Sequence, residues 1–239
     1  LAARRPLLYV GEGVFYGQAT DELLSFAQLA QVPVLTTLLG KSAFPEDHPL
    51  SLGVRGDLAI HFLRTCDLVL AIGTNLMPGA FSHTIPDVRH KTIIHCAVDE
   101  LDINKSYRVD YALIGDAKLI LQGLIGELIA QTAGGVEKKT DLLEEIRAGK
   151  QRQAAAYRPL MESDDKPINP YRVYGDLMKT IDRKNSFVTH DSGNTRDQMS
   201  TVYEALIPFG FLGWGNVTTL GFGLALAMAA KLAYPERQC

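Results

Sequence analysis

The sequence predicts an α/β protein: a parallel sheet with helices on both faces, followed by a second, truncated α/β unit. Three observations carry this expectation. Short apolar runs that end in Gly or Asp alternate with amphipathic stretches over residues 1–135. Residues 136–168 are charged and read as a linker carrying a helix. From residue 169 onward a helix and an apolar run restart the pattern, and the chain stops at Cys239, where a further strand is expected.

Taken in order, Leu7 to Val10 is a short buried strand ended by Gly11. Asp21 to Gln31 sets Leu23, Leu24, Ala27 and Ala30 on one helical stripe, with Thr20 or Asp21 as cap. Val32 to Leu38 reads as a strand interrupted by Pro33 and closed by Gly40. Asp57 to Thr65 is a helix that starts with Asp57 as its cap, and Leu68 to Ile72 is a strand ended by Gly73. Thr92 to Val98 and Tyr111 to Ile114 are two more strands, and Ala117 to Gln131 is an apolar helix halted near Gly134 and Gly135. The charged stretch from Glu137 to Arg152 is helical, and Pro159 to Pro170 reads as a loop. In the last unit, Tyr171 to Ile181 is a helix with Pro170 in its first turn. Ser186 to His190 is a strand, and Leu220 to Tyr234 is a helix rich in small residues.

Composition excludes several classes. Lys plus Arg is 24 against 27 for Asp plus Glu, a formal net charge of −3, which is not the basic footprint of a nucleic-acid binder. At 46% hydrophobic residues the chain is too apolar for disorder. Its longest apolar run, Leu220 to Ala230, is shorter than the roughly 20 residues that span a bilayer, so no membrane partner is expected. Cys66, Cys96 and Cys239 form no Cys-x-x-Cys pair and read as isolated thiols, which favours a reducing, cytoplasmic setting. The six histidines show no metal-site spacing, and no metal ligand is expected in this chain.

Three loops draw attention. Gly11-Glu12-Gly13-Val14-Phe15-Tyr16-Gly17 follows a strand and precedes a helix, as in a dinucleotide fingerprint. Its third glycine comes one residue late, and Thr36 and Thr37 occupy the place of the ribose-binding acid, so a tight strand-to-helix turn is the better reading. Asp191-Ser192-Gly193-Asn194-Thr195 offers donors at a strand end, suited to a phosphate or to a plain capped turn. Gly215 through Gly223 opens the last helix with glycines that also suit close helix packing.

In their order along nearly the whole chain, these segments resemble the thiamine-diphosphate-dependent enzymes of the acetolactate synthase and 2-oxo-acid decarboxylase type. Leu8 to Val14 resembles the opening of that family's Rossmann-like central domain. Gly40-Lys41-Ser42-Ala43-Phe44-Pro45-Glu46-Asp47-His48-Pro49-Leu50 is similar to its Gly-Lys-Gly…Pro-Glu-x-His-Pro-Leu stretch. Leu52 to Gly56, Asp67 to Gly73 and Gly115-Asp116-Ala117 match further loops. Asp191 to Asn194 and Thr219 to Gly223 resemble the start of its diphosphate-binding domain.

The resemblance implies thiamine diphosphate and Mg²⁺ as cofactors, a small 2-oxo acid as substrate, and decarboxylation with or without ligation to a second carbonyl. It places Gly193, Asn194 and Thr195 on the cofactor diphosphate, with Gly221 nearby. The Thr218 carbonyl accepts from the cofactor's amino group, and Leu220 is the apolar wedge on which the cofactor bends. It also implies a homodimer or homotetramer. The family's Gln-His is here Asn194-Thr195, and its Gly-Asp-Gly metal motif and N-terminal domain are absent. The expectation is therefore about one and a half domains of a longer enzyme, inactive alone. In the central domain, an ADP-like or FAD-like nucleotide across Gly11, Gly13, Gly73 and Asp99 stays open. A tight flavin site is not expected, because Gly73-Thr74-Asn75-Leu76 departs from the Arg-Phe-Asp-Asp of flavin-binding members. The readings set against this one are a dinucleotide-dependent oxidoreductase and a non-catalytic assembly module.

Overall fold

The computed structural model describes residues 1–79, 83–132, 134–215 and 219–239. Its first unit is a five-stranded, wholly parallel sheet in the order β2-β1-β3-β4-β5. The strands are β1 (Pro6–Val10), β2 (Val34–Thr36), β3 (Leu68–Ile72), β4 (Thr92–Ala97) and β5 (Tyr111–Ile114). β1 and β3 are buried over four of five residues each, which is why they read as unbroken apolar runs rather than alternating ones. The chain moves outward from β1 to β2 and then crosses back to β3. Right-handed crossovers therefore put α2 (Thr20–Ala30) and α3 (Asp57–Thr65) on opposite faces. α4 (Ala117–Thr132) packs on α2, and α5 (Thr140–Met161) packs on α3. The fold expected for this unit is the one observed.

Several boundaries shift for local reasons. The turn after β1 contains a one-turn helix, α1 (Gly13–Tyr16). The N-cap of α2 is Ala19 and makes no side-chain cap; Thr20 and Asp21 lie inside the first turn. The N-cap of α3 is likewise Gly56 without a side-chain cap, and Asp57, expected as the cap, lies inside the first turn. β2 is three residues long, pairing with β1 over Val34 to Thr36, and its outer edge is taken by the segment after Pro49. Val34 N–H donates to Leu50 O at 2.9 Å, and Leu52 N–H donates to Val34 O at 2.8 Å. That segment covers an edge that would otherwise stay unpaired.

The charged stretch forms the longest helix described, and it runs through Pro159 to Met161 instead of ending in a loop. A proline in the last turn removes one backbone bond, and packing on both sides offsets the loss. Gly149 makes the first of those contacts: a Cβ there would stand 2.4 Å from Leu58 of α3. On the other side α6 (Pro170–Thr180) packs on α5, with the Tyr157 and Tyr171 rings 5.3 Å apart.

The second unit holds two parallel strands where one was expected: β6 (Val188–Thr189) and β7 (Phe211–Leu212). Between them lies α7 (Asn194–Val202), whose mainly polar sequence hides it from periodicity arguments. α8 (Phe222–Ala233) begins two residues later than expected, leaving Leu220 in the preceding turn. Ser186 pairs in parallel with Gln238 on the other side of β6, with Phe187 N–H donating to Gln238 O at 2.7 Å. Cys66 and Cys96 are buried free thiols in the first unit, as expected, and Cys239 is exposed. None of the described helices is long and apolar enough to cross a membrane.

The two units are joined by a buried ion pair. Lys41 and Glu46 are 1% and 6% exposed, and Lys41 Nζ donates to both Glu46 oxygens at 2.6 Å. Each also reaches into the second unit. Lys41 Nζ donates to Tyr203 O at 2.7 Å and lies 5.1 Å from the Phe211 ring centroid. Glu46 Oε2 accepts from Ala205 N–H at 2.7 Å. Burial pulls the Lys41 ammonium below its ordinary value, against the upward pull of the Glu46 carboxylate. Beside them, Ser42 has φ +73° and its hydroxyl donates to Phe211 O at 3.0 Å.

Removing one partner of a buried pair leaves an uncompensated charge, so Glu46→Leu is expected to lower stability by about 3–5 kcal/mol. Replacing both, as Lys41→Met with Glu46→Leu, is expected to recover most of that loss in urea denaturation. A double variant as unstable as the single one contradicts the pairing.

Candidate functional site

In an open parallel sheet the crevice opens where strand order reverses, here between the carboxyl ends of β1 and β3. The candidate nucleotide residues do meet there, but backbone fills the space. A Cβ on Gly11 would stand 2.3 Å from Gly73 O, and one on Gly13 would stand 2.6 Å from Gly73 Cα. Gly40 approaches the same point, its Cβ position 2.5 Å from Val10 O. The N–H groups of Gly11, Gly13 and Gly73 donate to Ile72 O, Gly73 O and Cys96 O at 2.9, 2.9 and 3.1 Å. None of the three is left to cradle a phosphate. Asp99 sits apart at the end of β4, where its carboxylate accepts from Leu101 N–H at 2.9 Å.

The second unit presents a different arrangement. β6 runs into His190 and Asp191, and two helix N-termini converge there, α7 after Gly193 and α8 after Gly221. A helix start leaves its first N–H groups without intrahelical acceptors and carries partial positive charge. Asp191 occupies the α8 start. Its carboxylate accepts from Gly221 N–H at 3.0 Å and Gly223 N–H at 3.2 Å, and also from Ser192 N–H at 2.8 Å. The Ser192 bond foremost, with those from Gly223 and Gly221, holds this carboxyl below the ordinary aspartate range. Gly223 must be glycine, since a Cβ would stand 2.9 Å from His190 C.

The α7 start stays open. Gly193 has φ +87°, its Cβ position has no neighbour within 4 Å, and Gly193, Asn194 and Thr195 are exposed. The Thr195 hydroxyl donates back to Asp191 O at 3.0 Å, which leaves backbone N–H groups as the outward donors. α7 is also tied to the first unit. Asp197 accepts from Arg55 Nη1 at 2.9 Å and from the buried Arg196 Nε at 3.0 Å.

Behind this loop lie polar atoms the sequence did not flag. His190 is 4% exposed; its Nδ1 contacts Asp191 O at 2.8 Å, while Nε2 has no partner among the described residues. Thr189 Oγ1 and Trp214 Nε1 are buried and equally without partners. Burial pulls the His190 imidazole below its ordinary value, with Arg196 adding to the effect, so the ring is neutral near pH 7.

The cofactor residues expected from the sequence therefore fall into one neighbourhood, with one outside the described residues. Gly193, Asn194 and Thr195 form the α7 start, and Gly221 (φ +85°) is the N-cap of α8. Leu220, 83% exposed, stands in the adjoining turn. Thr218 lies outside the described residues. Among the described residues no group of three or more His, Cys, Asp or Glu side chains is placed to hold a metal.

Residues 1–124 match the central domain of the thiamine pyrophosphate enzymes. The chain is 36% identical over 245 residues to a probable acetolactate synthase large subunit of Methanocaldococcus jannaschii, covering 98% of the chain and 40% of that protein. It is 32% identical over 249 residues to the corresponding protein of Methanococcus aeolicus, covering 98% and 41%. It is 31% identical over 247 residues to the acetolactate synthase of Mycobacterium leprae, covering 99% and 38%. The chain thus spans about two fifths of the length of the curated relatives it matches.

The Asp191 cap makes the α8 start depend on pH. A depressed carboxyl contributes its stabilisation above the ordinary aspartate pKa of about 3.9 and loses it as pH falls through the folded value. The Gly221 and Gly223 amide resonances are expected to hold steady down to about pH 4 and to shift only below it. Midpoints above that range contradict the cap.

Proposed function

Because the chain belongs to the thiamine pyrophosphate enzyme family, we propose that it works within a thiamine-diphosphate-dependent enzyme of the acetolactate synthase type. The reaction is decarboxylation of a small 2-oxo acid, with or without ligation of the remainder to a second carbonyl compound. The observation that carries this reading is the alignment with acetolactate synthases over 98–99% of the chain, across both units.

The donor chemistry at β6 fits the cofactor's anionic end. Asp191 already neutralises the α8 start, so the α7 start is where a diphosphate finds backbone N–H groups and positive potential. In this reading Gly193 lets the backbone approach, and Asn194 and Thr195 donate from their N–H groups. Leu220 supplies the apolar surface on which the cofactor folds, Gly221 sets the turn that presents it, and the Thr218 carbonyl accepts from the cofactor's amino group. Thiamine diphosphate, when bound, supplies an acceptor for the electron pair that departing carbon dioxide leaves behind. The chain's own share is binding and orientation.

Mg²⁺ belongs to the reading as the diphosphate's counter-ion. The described residues offer it no ligand set, since Asp191 is engaged by three backbone N–H groups. The internal use of the Gly11, Gly13 and Gly73 N–H groups weighs against a dinucleotide-dependent oxidoreductase.

Assembly into a homodimer or homotetramer is part of the proposal. Leu224, Met228 and Leu232 recur every fourth residue along α8 and are 72, 61 and 83% exposed. An apolar stripe of this kind marks a surface that another protein element covers.

Three measurements test the proposal. The protein encoded by the whole gene is expected to turn over pyruvate or another 2-oxo acid only when thiamine diphosphate and Mg²⁺ are both supplied. Turnover that survives their removal contradicts it. Gly193→Val forces a β-branched residue to positive φ and is expected to weaken thiamine diphosphate binding about tenfold or more; unchanged affinity contradicts the diphosphate assignment. In sedimentation, Leu224→Glu with Met228→Glu is expected to shift the assembly toward monomer.

A further inference from the structure

A cleft of about 440 Å³ lies between the first unit, α5, α6 and the segment that follows α7. Its size falls within the range of small-molecule sites, about 300–1,000 Å³. Leu58, Tyr157, Met161 and Met178 supply apolar wall. Five basic residues (Arg55, Lys150, Arg158, Lys179 and Arg183) and three acidic ones line it.

The acidic members are largely engaged. Glu46 is held by Lys41, and Glu204 pairs with Arg183 at 3.0 Å; Glu162 is the third. Lys150 has no carboxylate partner among the described residues. Its Nζ donates to Glu46 O and His48 O at 2.8 and 2.9 Å, two of the three bonds an ammonium can make. The third proton is left for a ligand. Arg158, on the same helix two turns further, has no ion-pair partner among the described residues either.

Of the five basic residues, Arg55 pairs with Asp197, Lys179 with Asp176 and Arg183 with Glu204, which leaves Lys150 and Arg158 as the cations to be matched. An apolar wall with these two cations suits a ligand with a hydrocarbon body and one anionic head. We propose that this interunit cleft binds a small organic carboxylate, its head on Lys150 and Arg158 and its body against Met161 and Met178. The site is separate from the α7 start. It lies where the first unit, α5, α6 and the residues after α7 meet, so its occupancy bears on how firmly the second unit is held.

The test is calorimetric titration of the protein encoded by the whole gene with 4-phenylbutyrate and with its neutral analogue 4-phenylbutanamide. The carboxylate is expected to bind at least about tenfold more tightly than the amide, the scale of one charge-assisted hydrogen bond. Arg158→Gln is expected to remove most of that difference, and Lys150→Met the same where the variant folds. Met178→Trp, which fills the cleft and leaves its charges in place, is expected to abolish binding of both probes. Equal affinity for the two probes, no heat from the carboxylate up to about 10 mM (an affinity too weak to matter), or binding unchanged by Met178→Trp overturns the assignment.

Discussion

The Lys41–Glu46 pair is the constraint on which the relation between the two units depends. Taking both charges out of water is costly, and the cost is offset only because every strong hydrogen-bonding capacity is met at short range. Glu46 receives Lys41 and the Ala205 N–H; Lys41 also donates to Tyr203 O. Two of these partners belong to the second unit, so the pair is satisfied only when the units are docked. The contacts fall just past the end of α7, whose start presents the Asn194 and Thr195 N–H groups. A helix is stiff, and pinning one end fixes where the other points. Asp197, held by Arg55 near the α7 start, adds a second tether from the first unit.

The glycines of the first unit serve the same end in another way. Gly11, Gly13, Gly40 and Gly73 bring the loops after β1, β2 and β3 into backbone contact. The crevice where strand order reverses is thereby closed by main chain. The loop that begins at Gly40 carries Lys41 and Ser42 directly to Tyr203 and Phe211. The first unit is a platform that holds a loop, and the loop holds the second unit.

Much of this was legible in the sequence because it rests on local rules. Apolar runs ended by Gly or Asp gave β1, β3, β4 and β5, an apolar helical stripe gave α2, and an acidic start gave α3. What escaped depends on tertiary partners. α7 is polar along most of its length and is stabilised by Met199 packing and by the Arg55–Asp197 contact. β7 is two residues long and exists through its pairing with β6. The last turn of α5 persists through Pro159 because α6 packs on it. At the candidate site, the family resemblance pointed to Gly193 and Gly221. The role of Asp191 as cap of α8 required knowing that residues 30 positions apart meet. Lys41 and Glu46 were visible as part of a family-like stretch, but nothing local reveals that both are buried. Ser42 stands where that stretch has glycine, and its φ of +73° shows why glycine suits the position; the hydroxyl's bond to Phe211 O offsets the strain.

The central claim is that docking through the first unit orients the α7 start for an anionic cofactor. Its most direct test is a calorimetric titration of thiamine diphosphate into the protein encoded by the whole gene, wild type against Glu46→Gln, at a temperature where both are folded. If the pair orients α7, the variant binds the cofactor more weakly although no substituted atom touches the residues proposed to hold it. Equal affinity in a variant whose stability has fallen would contradict the account, leaving the pair a structural tie with no bearing on the site.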